Sequence, residues 1–159
     1  MNNIKVRLPR ESDAGRVEEL LLYIAKLHRD GRSDLFIDAG AKFGRDEILA
    51  LFADDDSPVF VAENGEGYVI GYIICRMKNS AGNPSLKPVK RLYIEDLCVD
   101  PEYSGRGAGR ALMARAEEYA RAAGCHNLEL NVWEFNSDAI EFYRKNGYTE
   151  QRRIMEKLL

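Results

Sequence analysis

A glycine-rich turn between a strand and a helix constrains the fold of this chain more than any other feature. The stretch "VDPEYSGRGAGRAL" (99–112) places glycines at Gly105, Gly107 and Gly109. The preceding segment "RLYIEDLCV" (91–99) has apolar residues on both faces, which indicates a central strand. The apolar residues that follow recur at helical spacing: Leu112, Ala116, Tyr119, Ala120 and Ala123. The sequence therefore predicts a strand that turns tightly into an amphipathic helix.

This turn has the chemistry of an anion-binding loop. Glycines let successive backbone N–H groups point into one concavity, and a helix that begins there adds its unpaired N–H groups and its dipole. Arg106 and Arg110 add positive charge. The combination suits a pyrophosphate, although a tight turn without a ligand is the structural alternative. The dinucleotide fingerprint lacks its third glycine, and a P-loop lacks its Gly-Lys-Ser/Thr.

The remaining pattern predicts a mixed α/β (α+β) sheet with helices on both faces, in the order β-α-α-β-β-β-α-β-α-β. No linker or repeat divides the chain, so residues 1–159 form a single domain. The predicted strands outside the glycine region are 4–8, 58–63, 68–77, 127–133 and 148–158. The predicted helices begin at Ser12, at about residue 45 and at Ser137, and a long loop covers 28–44.

Composition excludes several classes of function. The net charge of −3 gives no reason to expect nucleic acid as a partner. The sequence has no apolar run long enough for a signal peptide or a membrane span, so we expect no membrane association and a cytoplasmic location. The three cysteines and two histidines allow no zinc-ligand spacing, so we expect no metal.

Two consecutive acids interrupt the predicted central strand. Neighbouring residues of a strand point to opposite faces, so Glu95 and Asp96 are expected on opposite sides of the sheet. Burying a carboxylate without a partner costs free energy, so an acid in a central strand needs an explanation. One reason is a general base with a raised pKa, and Glu95 is the stronger candidate of the two. The structural alternative is a salt bridge, or a strand end in water.

Other candidate residues have ordinary structural interpretations when taken alone. Tyr143, in "AIEFYRKNGY", fits the apolar stripe of a helix, and Asn136 is a good N-cap for that helix. Cys75 and Cys98 are small core residues rather than nucleophiles, because neither has an activating neighbour in the sequence.

The chain runs from the strand "IEDLCVDPEY" through the loop "SGRGAGRAL", a helix and the strand "LNVW" to the segment "NSDAIEFYRKNGY". This order of segments resembles the GNAT acetyltransferase family. The family loop reads Gln/Arg-x-x-Gly-x-Gly/Ala, and here Ser104 replaces its first long side chain. The resemblance implies a central mixed sheet of about six to seven strands with an antiparallel N-terminal part. It also implies splayed central strands and about four helices on the two faces.

The resemblance implies acetyl-CoA as donor and assigns roles to individual residues. Backbone groups of the loop would hold the pyrophosphate, with Arg106 or Arg110 compensating for Ser104: Ser104, Gly105, Arg106, Gly107, Ala108, Gly109 and Arg110. The pantetheine arm would lie along Leu97, Cys98 and Val99 and contact Asn136. Glu95 matches the family's general base and Tyr143 the acid that protonates the leaving thiolate. The amine would attack the thioester directly in a ternary complex.

The acceptor is left open by the sequence. The strand around Glu95 is similar to that of spermidine/spermine acetyltransferases, yet it is catalytic and does not select the acceptor. Polyamines, small amines, aminoglycosides and protein amines are therefore all candidates. A catalytically silent acyl-CoA-binding regulatory module is the alternative function, and a homodimer is a reasonable expectation from the family.

Overall fold

The computed structural model describes residues 3–38, 40–80 and 82–159, in which a five-stranded sheet is accompanied by four α-helices. The strands are β1 (Lys5–Arg7), β2 (Val59–Glu63), β3 (Val69–Asn79), β4 (Lys90–Val99) and β5 (Asn127–Leu130). The helices are α1 (Ala14–Gly31), α2 (Arg45–Phe52), α3 (Ala108–Ala122) and α4 (Ser137–Lys145). Short 3-10 turns cover Glu11–Asp13 and Pro101–Tyr103.

The sheet is mixed, as the sequence predicts. The strands lie in chain order, with β1 to β4 antiparallel to their neighbours and β5 parallel to β4. Helix α3 connects β4 to β5, which forms the predicted strand–helix–strand crossover. The antiparallel half thus comes first and the parallel pair last.

Three boundaries differ from the sequence prediction. The last strand, predicted at 148–158, is wrong, because residues 149–159 form neither helix nor strand and are exposed. This lowers the strand count from the expected six or seven to five. The segment places charged residues on both sides of Ile154 and Met155, whose side chains are 88% and 92% exposed, so it buries no apolar face against the sheet. Helix α1 extends to Gly31 into the predicted loop, and β5 ends at Leu130 rather than at 133.

Two apolar clusters cover the two faces of the sheet, so the predicted arrangement of helices on both faces is confirmed. Helices α1 and α2 pack on one face, through Val17, Leu21, Ile48, Leu51, Val61, Tyr72 and Ile74. Helix α3 packs on the other, through Phe60, Ile70, Ile73, Leu92, Leu112, Met113 and Ala116. Residues 59–62 of β2 and 69–75 of β3 are therefore buried on both sides of the sheet.

A β-bulge and an early separation shape the end of β4. Ile74 lies opposite Asp96 whereas Cys75 lies opposite Ile94, which leaves Glu95 as an extra residue without a partner. The pairing of β4 with β5 ends at Ile94, so β4 beyond the bulge, from Asp96 to Val99, is paired with β3 on one side only. The two strands diverge beyond this point and open a cleft between them.

Gly71 is required where β3 lies against the end of β4. A Cβ atom at this position would lie 2.8 Å from the carbonyl oxygen of Cys98 and 3.3 Å from the Cα of Val99. We therefore expect Gly71→Ala to lower the free energy of unfolding by about 1–3 kcal/mol, since backbone atoms must move to relieve the contact. Urea denaturation measures this effect. Gly65→Ala is the control, because its Cβ would have an ordinary 3.7 Å contact with Asn3; equal losses in both variants would contradict the explanation.

Candidate active site

The cleft between the diverging strands is a cavity of about 560 Å³. Its walls come from α1, the loop before α2, β4, the segment after β5 and α4. This cavity is lined by three ionisable residues that were candidates from the sequence: Glu95, Asp96 and Tyr143. The fold therefore brings together groups that are up to 48 positions apart in the chain.

Glu95 and Asp96 line the same cavity, which corrects the expectation that they lie on opposite faces. That expectation holds for a regular strand, in which side chains alternate. The bulge at Glu95 inserts one residue into β4 and interrupts the alternation at this point. Both carboxylates therefore become available to one ligand.

Two cations hold Glu95. The Nζ of Lys42 lies 2.8 Å from Oε2 and 3.1 Å from the Glu95 carbonyl oxygen, and the Nε of Arg76 lies 3.2 Å from Oε1. Burial disfavours the charged form of Glu95, but the hydrogen bond and charge of Lys42 and the charge of Arg76 outweigh it and lower its pKa. Glu95 is therefore a stable anion near neutral pH.

Asp96 has the opposite environment. Burial raises the pKa of Asp96 from the usual 3.8 to about 6, and the charge of Lys42 and the backbone N–H of Leu97 counteract this only in part. Within the described parts of the chain, no cationic side chain forms an ion pair with Asp96 within 4 Å. The pair of acids thus consists of one firmly ionised group and one that titrates close to neutrality.

The raised pKa of Asp96 and the lowered pKa of Glu95 predict opposite effects of the two acids on the stability of the protein. Because the folded protein binds the Asp96 proton more tightly than the unfolded chain does, stability falls as pH rises through about 4–6 and stays low above that range. Asp96→Asn is therefore expected to raise the free energy of unfolding by up to about 3 kcal/mol above pH 7, and by less as pH approaches 4. Glu95→Gln should instead lower stability near neutral pH, since its lowered pKa makes the ionised form stabilising. Urea denaturation at pH 5 and pH 8 checks both signs, and a shift of the same sign in both variants would contradict them.

Tyr143 lies on α4 and lines the cavity across from β4. Its ring contacts Phe142 and Tyr148, with centroids 5.3 and 5.8 Å away. Burial, together with the negative charge of Asp96, raises the pKa of Tyr143 well above its usual value. The hydroxyl is consequently protonated at neutral pH and able to donate a proton.

The glycine loop has the geometry of an anion cradle. Gly105 and Gly107 have φ of 74° and 94°, a conformation that favours glycine. Gly107 is the N-cap of α3 and has no side chain to cap the helix, which leaves N–H groups of its first turn available to a ligand. A Cβ atom at Gly105 or Gly107 would meet nothing within 4 Å, so the space in front of the backbone is open. These features fit a pyrophosphate group.

The β4 edge after the bulge provides backbone groups for an extended ligand. Leu97 lines the cavity, whereas Cys98 is buried against α1 with its Sγ 3.7 Å from the carbonyl oxygen of Leu20. Burial raises the pKa of Cys98 to about 12. The backbone from Leu97 to Val99 is thus an edge that β5 does not pair with, while the Cys98 side chain belongs to the core.

The other predicted cofactor residues surround these two features. Asn136 caps α4, with its side-chain oxygen accepting a hydrogen bond of 3.2 Å from the N–H of Ala139, and it also lines the cavity. Ser104 is exposed at the start of the loop, and Ala108 is buried beneath it. The Arg106 guanidinium lies over the ring of Tyr103, 5.3 Å from its centroid, and Arg110 is exposed on the first turn of α3.

The sequence did not reveal an aromatic wall on the opposite side of the cavity. Phe36 stacks on His28 with centroids 5.4 Å apart and meets Trp133 edge-to-face at the same distance. Burial and the charge of Lys42 lower the pKa of His28, which keeps it neutral near pH 7. The mixed polarity of residues 28–44 predicted only a loop. No periodic pattern in the sequence showed that this loop would contact Trp133.

Neither a membrane span nor a metal-binding cluster is present in the described residues. No helix there has the length and apolar character needed to cross a bilayer. No group of three or more His, Cys, Asp or Glu side chains in those residues has an arrangement that could hold a metal ion.

Comparison with known proteins identifies related sequences and structures. The model of the acetyltransferase (GNAT) family matches residues 21–148. The chain is 38% identical over 114 residues to a streptothricin acetyltransferase of Streptomyces lavendulae, covering 72% of this chain but only 55% of that protein, about half its length. It is 23% identical over 150 residues to the thialysine N-epsilon-acetyltransferase of Mus musculus, covering 92% and 85% of the two chains. A crystal structure of a variant of the BH1408 protein from Bacillus halodurans superposes with a TM-score of 0.93 at 26% identity, covering 98% of this chain and 99% of that one.

Proposed function

The chain belongs to the GNAT acetyltransferase family, and we propose that it transfers an acetyl group from acetyl-CoA to a primary amine by direct attack in a ternary complex. One observation carries this proposal. A single cavity joins two carboxylates and a half-buried tyrosine to the open edge of β4. The glycine loop that follows this strand fits a pyrophosphate.

The chain offers three places to hold the donor. Backbone N–H groups between Ser104 and Arg110 would bind the pyrophosphate, helped by the positive end of the α3 dipole. The edge from Leu97 to Val99 would pair with the pantetheine arm as an added strand, with Asn136 beside it. When bound, acetyl-CoA supplies an activated acetyl group as a thioester and accepts a proton on its sulfur.

The residues of the cavity can handle the protons of the reaction. An alkyl amine with a pKa near 10.4 arrives protonated and must lose a proton before it can attack. Glu95, the candidate from the sequence, and Asp96 both line the cavity as acceptors for that proton. Tyr143 is the proposed donor to the leaving sulfur, because it lines the cavity and its raised pKa keeps the hydroxyl protonated at neutral pH.

The raised pKa values of Cys75 and Cys98 support direct attack by the amine rather than transfer through an acetylated cysteine. Burial raises the pKa values of Cys75 and Cys98 to about 12, so both are neutral thiols at physiological pH. A thiolate, not a thiol, is the nucleophile in cysteine catalysis. Neither residue is therefore suited to carry the acetyl group.

The acceptor we propose is a small amine that lies against the aromatic wall of His28, Phe36 and Trp133. The names of the relatives describe acetylation of streptothricin and thialysine, and a cavity of about 560 Å³ has room for a small amine. Lys42 and Arg76 already compensate the charge of Glu95, which makes a polycationic polyamine a weaker candidate.

A thiol-release screen tests the proposed function. Acetyl-CoA is incubated with the protein and a panel of amino acids, aminoglycosides, polyamines and peptides, and free CoA thiol is measured. Acetyl transfer to at least one class of amine is expected. Thermal stabilisation by CoA with no thiol release from any acceptor would instead support the alternative, an acyl-CoA-binding regulatory module.

A further inference from the structure

Glu95 and Asp96, the two acids at the bulge of β4, differ in how far neighbouring cations compensate their negative charge. This difference indicates different roles for the two residues. Each carboxylate oxygen of Glu95 faces a cation, Lys42 at 2.8 Å and Arg76 at 3.2 Å. Such pairing stabilises the anion and makes it a weaker base. A group of this kind is suited to holding another side chain in position and less suited to taking a proton from an ammonium ion.

Asp96 lies near two tyrosines and has no ion-pair partner among the described residues. Tyr72 from β3 and Tyr143 from α4 both feel its charge, and the Tyr72 hydroxyl is buried. The charged groups nearby are Glu95 on the same strand and Lys42 from the loop before α2, and Lys42 is engaged by Glu95. A carboxylate without an ion-pair partner that lines the cavity can receive an ammonium group.

We infer that Asp96, rather than Glu95, accepts the proton that the acceptor amine must lose, an inference that rests on the proposed acetyl transfer. The nitrogen loses two protons in the reaction. Asp96 takes the first from the ammonium ion and releases it to solvent. Tyr143 gives its proton to the departing sulfur as the nitrogen–carbon bond replaces the carbon–sulfur bond, and the second proton of the nitrogen restores the Tyr143 hydroxyl. One proton is thus released for each acetyl group transferred.

This assignment leaves Glu95 a positioning role. Its ion pair and its carbonyl oxygen fix Lys42 over the cavity, 53 residues away in sequence. Lys42 in turn lies beside the wall formed by His28 and Phe36, so the pair ties the loop before α2 to the bulge. Loss of the pair should therefore affect acceptor binding more than proton transfer.

The dependence of kcat/KM on pH distinguishes the two acids. The raised pKa of Asp96 predicts that the wild-type rate rises with pH through an ionisation near pH 6, in a range where Glu95 stays ionised and the two tyrosines stay protonated. Asp96→Asn should remove this ionisation and lower kcat/KM at least tenfold at pH 7. Glu95→Gln should retain the ionisation and raise KM for the amine. Retention of the ionisation in Asp96→Asn, or its loss in Glu95→Gln alone, would overturn the inference.

A titration without acetyl-CoA provides a second measurement. Carbon-13 NMR of the side-chain carboxyl groups should show one aspartate that titrates near pH 6 and is absent from the spectrum of Asp96→Asn. An Asp96 that titrates below pH 4 would overturn the inference even if the enzyme is active. If no amine supports thiol release while this titration is observed, the proposed function fails and the environment of Asp96 is still established.

Discussion

Replacing Tyr143 by Phe is expected to lower kcat about 100-fold while the affinity for CoA stays the same. The change removes one oxygen from a half-buried side chain that lines the cavity and leaves its ring contacts with Phe142 and Tyr148 in place. A loss of kcat of about 100-fold is at the lower end of the range for general acid catalysis. The reason is that a thiolate, whose thiol has a pKa near 8.5, departs more readily than most leaving groups. Steady-state kinetics and calorimetric titration with CoA give the two quantities.

Tyr148→Phe is the matched control for this prediction. Tyr148 is also half-buried, its hydroxyl is buried without a hydrogen-bond partner among the described residues, and burial raises its pKa in the same way. Its ring lies 5.8 Å from that of Tyr143, yet it is not among the residues that line the cavity. We expect its kcat to match the wild type. Equal kcat in Tyr143→Phe and the wild type would remove Tyr143 from the mechanism.

The parts of the fold that follow from local patterns were predictable from the sequence. The turn from β4 into α3 depends on glycines at alternate positions and on one apolar stripe, and both are visible in the chain. Residues 148–158 were predicted as a strand, but a strand requires a partner edge and an apolar face to bury. The chain supplies neither to Ile154 and Met155, which remain exposed.

The site was less predictable, because its chemistry depends on register. A bulge is defined by the pairing of two strands, and nothing in "YIEDLCV" shows that Glu95 has no partner on β3. The cation that holds Glu95 comes from Lys42, which lies in a segment of mixed polarity without periodicity. The residues Glu95 and Asp96 were therefore predictable, whereas the difference in their charge environment required the tertiary structure.

The same bulge links the fold to the proposed chemistry. By inserting one residue it ends the regular alternation of β4, turns both acids toward the cavity and coincides with the point where β5 diverges. The diverging strands leave the β4 edge unpaired just before the glycine loop. One local irregularity thus lies at the same end of the sheet as the proposed proton acceptor and the proposed binding edge for the donor.

Gly107→Ala is expected to weaken CoA binding by about tenfold or more, the second large effect that the structure predicts. Gly107 has φ of 94°, and its Cβ atom would project into the open space in front of the loop, where we propose that the pyrophosphate binds. An alanine methyl group there would keep the phosphate from the N–H groups at the start of α3, and hydrogen bonds to a charged group are each worth about 1.5–3 kcal/mol. Calorimetric titration with CoA measures the change in Kd.

Gly124→Ala separates this effect from backbone strain. Gly124 has φ of 73° just after the other end of α3, and its Cβ atom would also meet nothing within 4 Å. Both substitutions should therefore cost about 1–2 kcal/mol of stability, because each forces a residue with a side chain into the left-handed region. Only Gly107→Ala should lose affinity for CoA. If both variants bind CoA as the wild type does, the glycine loop is a tight turn and the pyrophosphate binds elsewhere.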